Sequence, residues 1–200
     1  MSAHTVPDEI RTERLHLRCW RRGDAVLLLP VLEVNVEHLQ SWIPEHVAAP
    51  APLPELEGRL AGFAADFRAG RNWRYGVFAP DERAVFGEIS LFPRSTSGRV
   101  HIAAADRLEV GYWLRRDVTG RGYATEAARA MLSVAASLPG MSHVEIRCDP
   151  LNTASAAIPK RLGFRLAAEW EPDTYVLDLR APDPPSTEWA QPAAAPPTPD

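Results

Sequence analysis

Apolar and polar positions along this chain alternate with period two in some stretches and recur at helical spacing in others. Residues 14–19 alternate and predict a strand. Gly23-Asp24 then announces a helix with Asp24 as its cap. An apolar stripe continues that helix over residues 25–39, with Pro30 placed to kink or split it. Pro44, Pro50, Pro52 and Pro54 make the next link irregular, before a second helix over residues 55–68 that Gly70 stops. Residues 73–79 and 84–93 read as a hairpin around Pro80-Asp81-Glu82-Arg83. Residues 95–106 either extend that hairpin or run as a loop. Beyond them the pattern predicts a strand at 108–114, a helix at 123–138, a strand at 144–148 and a helix at 154–162. A closing antiparallel pair at 164–169 and 175–179 completes it. Residues 1–9 read as a loose leader, and no internal repeat is visible.

An antiparallel run of strands followed by β-α-β-α and a terminal hairpin predicts an α+β domain. Its central sheet should be mixed but mostly antiparallel and flanked by helices. Residues 1–180 form that domain. Residues 181–200 are proline- and alanine-rich, cannot bury apolar surface, and read as a disordered tail. A chain of 200 residues can support a sizeable core. The formal net charge of −4 argues against a nucleic-acid binder, because phosphate neutralisation needs clustered Lys and Arg. Cys19 and Cys148 show no metal-binding spacing, so no metal and a reduced cytoplasmic setting are expected. No apolar run approaches membrane-spanning length. Abundant arginine, alanine and proline suggest a high-GC bacterial source.

Residues 108–128 carry the most chemistry. An alternating strand (Val110, Tyr112, Leu114) runs through a charged turn into Gly120-Arg121-Gly122, and a helix opens at once with Tyr123-Ala124-Thr125-Glu126. Glycines there permit a tight turn and a close ligand approach. Free N–H groups at a helix start form a donor array aided by the helix dipole, which suits a phosphate or pyrophosphate. Arg115, Arg116 and Arg121 add positive charge. A P-loop would need Lys and Ser/Thr after the second glycine, and neither is there. A dinucleotide-binding turn would need a third glycine or alanine where Thr125 stands. Asp149 could mimic its ribose-binding acid, but residues 115–119 separate the strand from the glycines, where that fingerprint allows almost none.

The segment resembles motif A of the GNAT superfamily of acetyl-CoA-dependent acetyltransferases, Gln/Arg-x-x-Gly-x-Gly/Ala after a strand. Gly120 and Gly122 match, and Asp117 stands at the Gln/Arg position. That departure is common in the RimJ/RimL branch, which acetylates ribosomal-protein N-termini. Similarity to that branch extends along the chain. Thr12-Glu13-Arg14-Leu15-His16-Leu17-Arg18 resembles its first strand, and Trp42-Ile43-Pro44 the link between its first helices. Phe86-Gly87-Glu88-Ile89-Ser90-Leu91 is similar to its central strand, and Val110-Gly111-Tyr112-Trp113-Leu114 to the strand before motif A. Asn152-Thr153-Ala154-Ser155 with Leu162-Gly163-Phe164 resembles motif B.

The resemblance implies a sheet whose strands ending near Leu114 and Cys148 splay apart around a pantetheine arm. It implies acetyl-CoA as co-substrate. The expected contacts are Tyr112, Trp113 and Leu114 at the strand end, and Arg116, Val118, Thr119, Gly120, Arg121, Gly122, Tyr123 and Ala124 around the turn. Asn152 and Ser155 complete them from motif B. A primary amine, on a protein N-terminus or a small molecule, is the expected acceptor, with Trp42, Glu88 and Tyr112 lining its site. A homodimer is common among similar proteins. A binding module for CoA without catalysis and a carrier of longer acyl groups stand as alternatives.

Amide formation from a thioester needs a neutral amine, support for the oxyanion and a proton for the departing thiolate. Glu88 matches the family's base, or else is a solvent-facing strand residue. Glu109 could serve in its place, orient the amine, or pair with an arginine across strands. Asn152 could bond the pantetheine or simply open a helix. Ser155 is the thiolate's proton donor by resemblance, or a helix cap. Cys148 at a strand end reads as a small apolar filler rather than an acetyl carrier, which favours direct transfer.

Overall fold

A computed structural model describes residues 6–167 and 173–179. The chain enters through β1 (Glu9–Arg11), which pairs antiparallel with β2 (His16–Cys19). Residues 6–9 are docked and not loose. Cys19 N–H donates to the Asp8 carbonyl at 2.8 Å, and the Tyr75 hydroxyl donates to the Pro7 carbonyl at 2.6 Å. So short and polar a strand has no periodicity of its own, and its partner defines it.

A 3₁₀ turn (Arg22–Asp24) leads into α1 (Ala25–Val34). Asp24 does not cap α1. Its carboxylate turns back to the Arg21 N–H at 2.7 Å and to the Arg18 guanidinium at 2.7 and 2.8 Å. Pro30 lies inside α1 without ending it, and the break before α2 (Val36–Leu39) falls at Asn35. The Asn35 amide donates to the Val31 carbonyl and accepts from the Arg116 N–H, both at 2.8 Å. That second bond ties the helical corner to the turn after the sixth strand. After α3 (Glu45–Ala48), α4 (Leu53–Arg68) starts slightly ahead of the expected position. Pro54 falls in its first turn, where a missing N–H leaves nothing unpaired.

β3 (Trp73–Phe78) and β4 (Val85–Ser95) form the expected hairpin. The stretch that follows takes both courses open to it. β5 (Gly98–Arg99) folds back on Arg94 and Ser95, and a 3₁₀ turn (Ile102–Ala104) leads on. β6 (Arg107–Leu114), α5 (Tyr123–Ser137), β7 (His143–Arg147) and α6 (Thr153–Arg161) follow. The closing pair is β8 (Arg165–Leu166) with β9 (Thr174–Asp178). The far end of the predicted 164–169 strand and the predicted tail at 181–200 lie outside the described residues.

Among the described residues the strands form one sheet in the order β1-β2-β3-β4-β6-β7-β9-β8, with β5 on the side of β4. Every pairing is antiparallel except β6 with β7. That parallel pair is joined only at Leu108↔Val144 and Glu109↔Glu145. Toward Leu114 and Arg147 the two strands run on without pairing, so the sheet opens there.

Each face of the sheet carries a core. Trp20, Leu28, Leu32, Leu56, Leu60, Phe78, Val85 and Trp113 pack under α1 and α4. Leu17, Tyr75, Ile89, Leu91, Leu108, Val110, Met131 and Val144 pack under α5 and α6. Truncating a fully buried leucine such as Leu56 or Leu60 removes about 2–5 kcal/mol. Gly87 is required where β4 crosses β6, because a Cβ there would lie 2.0 Å from the Trp113 carbonyl oxygen. Among the described residues no helix is long and apolar enough to cross a membrane.

Candidate active site

Where β6 and β7 part, they leave a cleft of about 270 Å³. β6 contributes Tyr112, Trp113 and Leu114 to its wall. The turn into α5 contributes Thr119, Gly120 and Gly122, and the first turn of α5 adds Tyr123, Ala124 and Thr125. Asn152, Ala154, Ser155, Ala157, Ile158 and Arg161 line it from α6, and His38, Trp42 and Ile43 from the α2 corner.

One end of this cleft is built for an anion. Gly120 and Gly122 have φ of 73° and 83°, the left-handed region that residues with a Cβ enter at a cost. Gly122 precedes α5 and supplies no side chain, and no other side chain caps the helix. The amides of Tyr123, Ala124 and Thr125 therefore lack both an intrahelical acceptor and a cap. Aligned peptide dipoles make that end positive. Asp117, the acid where the motif has Gln or Arg, is answered by Arg115, whose Nε lies 2.9 Å from Oδ1. A narrow apolar channel leading from free amides fits a phosphate-bearing thioester arm.

Not every expected contact reaches the wall. Val118 is 3% exposed and belongs to the core under α5. Arg116 offers its backbone instead, its N–H to Asn35 and its carbonyl to the Thr119 hydroxyl at 2.8 Å. The Arg121 carbonyl accepts from Arg14 at 3.0 Å. The three lie in the turn that shapes the cleft and not on its surface.

In the same cleft, Tyr112 meets Ser155. The Tyr112 oxygen lies 3.1 Å from Ser155 Oγ and 3.2 Å from the Ser155 carbonyl oxygen. A phenol has one proton, so when it goes to the carbonyl the Ser155 hydroxyl donates to the phenol oxygen. Ser155 is not a cap. It lies inside α6, and its N–H donates to Oδ1 of Asn152, the capping residue, at 3.0 Å. Asn152 thus both opens the helix and lines the cleft. Burial pushes the Tyr112 phenol far above its usual range, and the Ser155 hydrogen bond offsets this only in part. The pair therefore stays protonated and can donate. Burial likewise raises the Cys148 thiol, so it is a neutral group and a poor acetyl acceptor.

Glu88 matches neither of its two readings, and Glu109 takes the arginine-pairing one. Neither lines the cleft. Glu88 is 4% exposed and accepts from Arg74 and Ser90 on Oε1 and from the Trp20 indole at 2.9 Å on Oε2. Glu109 accepts from Arg94 on Oε2 and from Arg99 on Oε1 at 2.7 Å. Both are buried carboxylates with each oxygen already hydrogen-bonded, Glu88 by Arg74, Ser90 and Trp20 and Glu109 by Arg94 and Arg99, and neither faces the cleft. Of the expected acceptor residues, Trp42 and Tyr112 line the cleft and Glu88 does not. His38, Ile43, Thr125, Ala154, Ala157, Ile158 and Arg161 join it without having been expected. His38 reaches β6 through a ring nitrogen 3.2 Å from the Leu114 carbonyl oxygen. A lone histidine at a helix end carries no signal of that contact. Among the described residues no cluster of His, Cys, Asp or Glu could hold a metal.

Known proteins of similar sequence and shape share this architecture. The family model of the acetyltransferase (GNAT) domain matches residues 14–165. A putative ribosomal N-acetyltransferase, YdaF, of Bacillus subtilis (strain 168) is 27% identical over 162 residues, covering 76% of this chain and 78% of that protein. The [ribosomal protein uS5]-alanine N-acetyltransferase of Escherichia coli (strain K12) is 24% identical over 155 residues, covering 78% of this chain and 77% of that one. The structure of Mycobacterium smegmatis RimJ in complex with CoA-disulfide superposes with a TM-score of 0.70 at 20% identity, covering 89% and 90% of the two chains.

Proposed function

The chain belongs to the GNAT acetyltransferase family and is an acetyl-CoA-dependent N-acetyltransferase, and from that premise we propose that its acceptor is the amino terminus of a ribosomal protein. Two relatives named for ribosomal N-acetylation, each matched over about three quarters of both chains, support the acceptor class. The observation that carries the chemistry is the cleft itself. It brings together the uncapped amides after Gly122 and the Tyr112–Ser155 hydroxyl pair.

Acetyl-CoA supplies the activated acetyl group as a thioester. The amides of Tyr123, Ala124 and Thr125 bind the pyrophosphate, and the apolar wall of Leu114, Ala154 and Ile158 shields the arm from water. When the Tyr112 hydroxyl donates to Ser155 Oγ, the Ser155 hydroxyl is free to give its proton to the departing thiolate as the C–S bond breaks, and the proton that the attacking amine releases on forming the C–N bond replaces it. Transfer to the amine is direct, because the nearby Cys148 thiol is held neutral. A binding module without catalysis would have no use for a pair of half-buried, mutually bonded hydroxyls in the cleft.

The acceptor is tested with acetyl-CoA and short peptides copying ribosomal-protein N-termini that begin with alanine or serine, read by mass spectrometry. Acetylation confined to the α-amino group of such peptides is expected. Turnover of small amines with none of these peptides would overturn the ribosomal reading.

A further inference from the structure

The Thr12-Glu13-Arg14 segment has no part in the chemistry described so far, yet it grips the loop on which that chemistry depends. Glu126 stands in the first turn of α5. A carboxylate there ordinarily folds back onto the free amides of its own helix, or repels an anion that approaches them. Here both oxygens are turned the other way. Oε1 accepts from the Thr12 hydroxyl at 2.6 Å and from the Arg14 N–H at 2.9 Å. Oε2 takes Nε and NH2 of Arg14, both at 2.7 Å. The Glu126 side chain is 14% exposed and the Arg14 side chain 43%, so the carboxylate is shielded while the guanidinium still meets water.

The same guanidinium holds the glycine turn. Its NH1 donates to the Arg121 carbonyl at 3.0 Å, between the two left-handed glycines. Its carbon lies 4.8 Å from the centre of the Tyr123 ring, which stacks on Phe86 at 5.1 Å. The Gly122 position is walled by Arg14 as well, since a Cβ there would lie 3.3 Å from NH2. Glycine turns are free to wander, and little else in the turn restrains the Arg121 peptide.

We propose that Arg14 is a positioning residue for the pyrophosphate site. It neutralises Glu126 and pins the Arg121 peptide, leaving the α5 amides and their positive end to the donor. Burial works against the Glu126 carboxylate, but the hydrogen bonds from Thr12 and Arg14 hold it below the usual carboxylate range, so both partners are charged at neutral pH. Loss of Arg14 alone would expose an unanswered negative charge beside the phosphates. Loss of both partners would remove that charge.

The inference rests on the acetyl-CoA reading of the cleft, and calorimetric titration of the full chain with CoA separates the two. Arg14→Ala is expected to raise the Kd for CoA about tenfold, and Arg14→Ala/Glu126→Ala to recover to within about threefold of wild type. A merely structural clamp would leave the double variant no better than the single one. That result, or wild-type affinity in Arg14→Ala, would overturn the inference. Should Arg14→Ala fail to fold, Arg14→Gln keeps a donor for the Arg121 carbonyl, drops the charge and is read the same way. Absence of CoA binding by the wild-type chain would strike the acetyl-CoA reading, and this inference with it.

Discussion

Ser155 holds three bonds in one small volume: its N–H to Asn152, and its carbonyl and hydroxyl to Tyr112. A side chain so fixed delivers its proton along one direction, which a general acid requires. Ser155→Ala is therefore expected to lower kcat about a hundredfold while the Kd for acetyl-CoA stays within about threefold. Stopped-assay thiol release and calorimetry would check the two numbers, and an unchanged kcat would remove Ser155 from the reaction. The same scale shows what a sequence can and cannot say. The positions of Gly120, Gly122, Asn152 and Ser155 on the cleft were legible, the glycines from the local strand-turn-helix pattern and Asn152 and Ser155 from the family resemblance. Glu109 was legible in part, as a cross-strand partner for an arginine, but Glu88 was not, because alternation assigns a strand residue to a face but does not say what crosses that face. Arg74 and Trp20 reach Glu88 from 14 and 68 residues away in sequence.

Between residues and the whole stand the elements, and the junction of β6 with β7 matters most among them. The two strands pair only at their start, and there Glu109 and Glu145 lie side by side in register. Like charges so placed repel, and arginines answer them: Arg94 and Arg99 on Glu109, Arg107 and Arg147 around Glu145. Burial pushes the Glu145 carboxyl up, but hydrogen bonds from His143 and Arg147 and the charges of Arg147 and Arg107 prevail, bringing it from 4.5 to about 2. A lower value in the folded state means that the unfolded chain takes up the proton first as the pH falls. Glu145 thus stabilises the fold fully above about pH 4.5, and that contribution fades as the pH drops toward about 2. It is on the order of 3 kcal/mol. Glu145→Gln is expected to flatten the rise of urea stability with pH across that window, and an unaltered slope would contradict the assignment. Elements with a strong period, such as β3, β4, α4 and α5, were readable in the sequence nearly to their ends. β1 was not, because so short and polar a segment becomes a strand only through β2. The helix break was misplaced at Pro30, because the sequence does not show that Asn35 is held by Arg116.

Across the whole molecule, the open sheet places three distant segments around one cleft. The β1–β2 connection restrains the glycine turn, the α2 corner supplies Trp42 and His38, and α6 brings Ser155 to Tyr112. The mostly antiparallel architecture followed from the order of elements alone. The opening between β6 and β7 followed only from the family resemblance, since strand lengths do not reveal where pairing stops. The central claim is that this cleft binds acetyl-CoA through the amides after Gly122. Calorimetric titration of the purified chain with acetyl-CoA, and with NAD as the rival phosphate ligand, tests it most directly. The account predicts binding of acetyl-CoA and not NAD, weakened about tenfold or more in Gly122→Val, where a side chain would crowd Arg14 and strain the left-handed turn. Failure of the wild-type chain to bind acetyl-CoA, or undiminished binding by Gly122→Val, would contradict it.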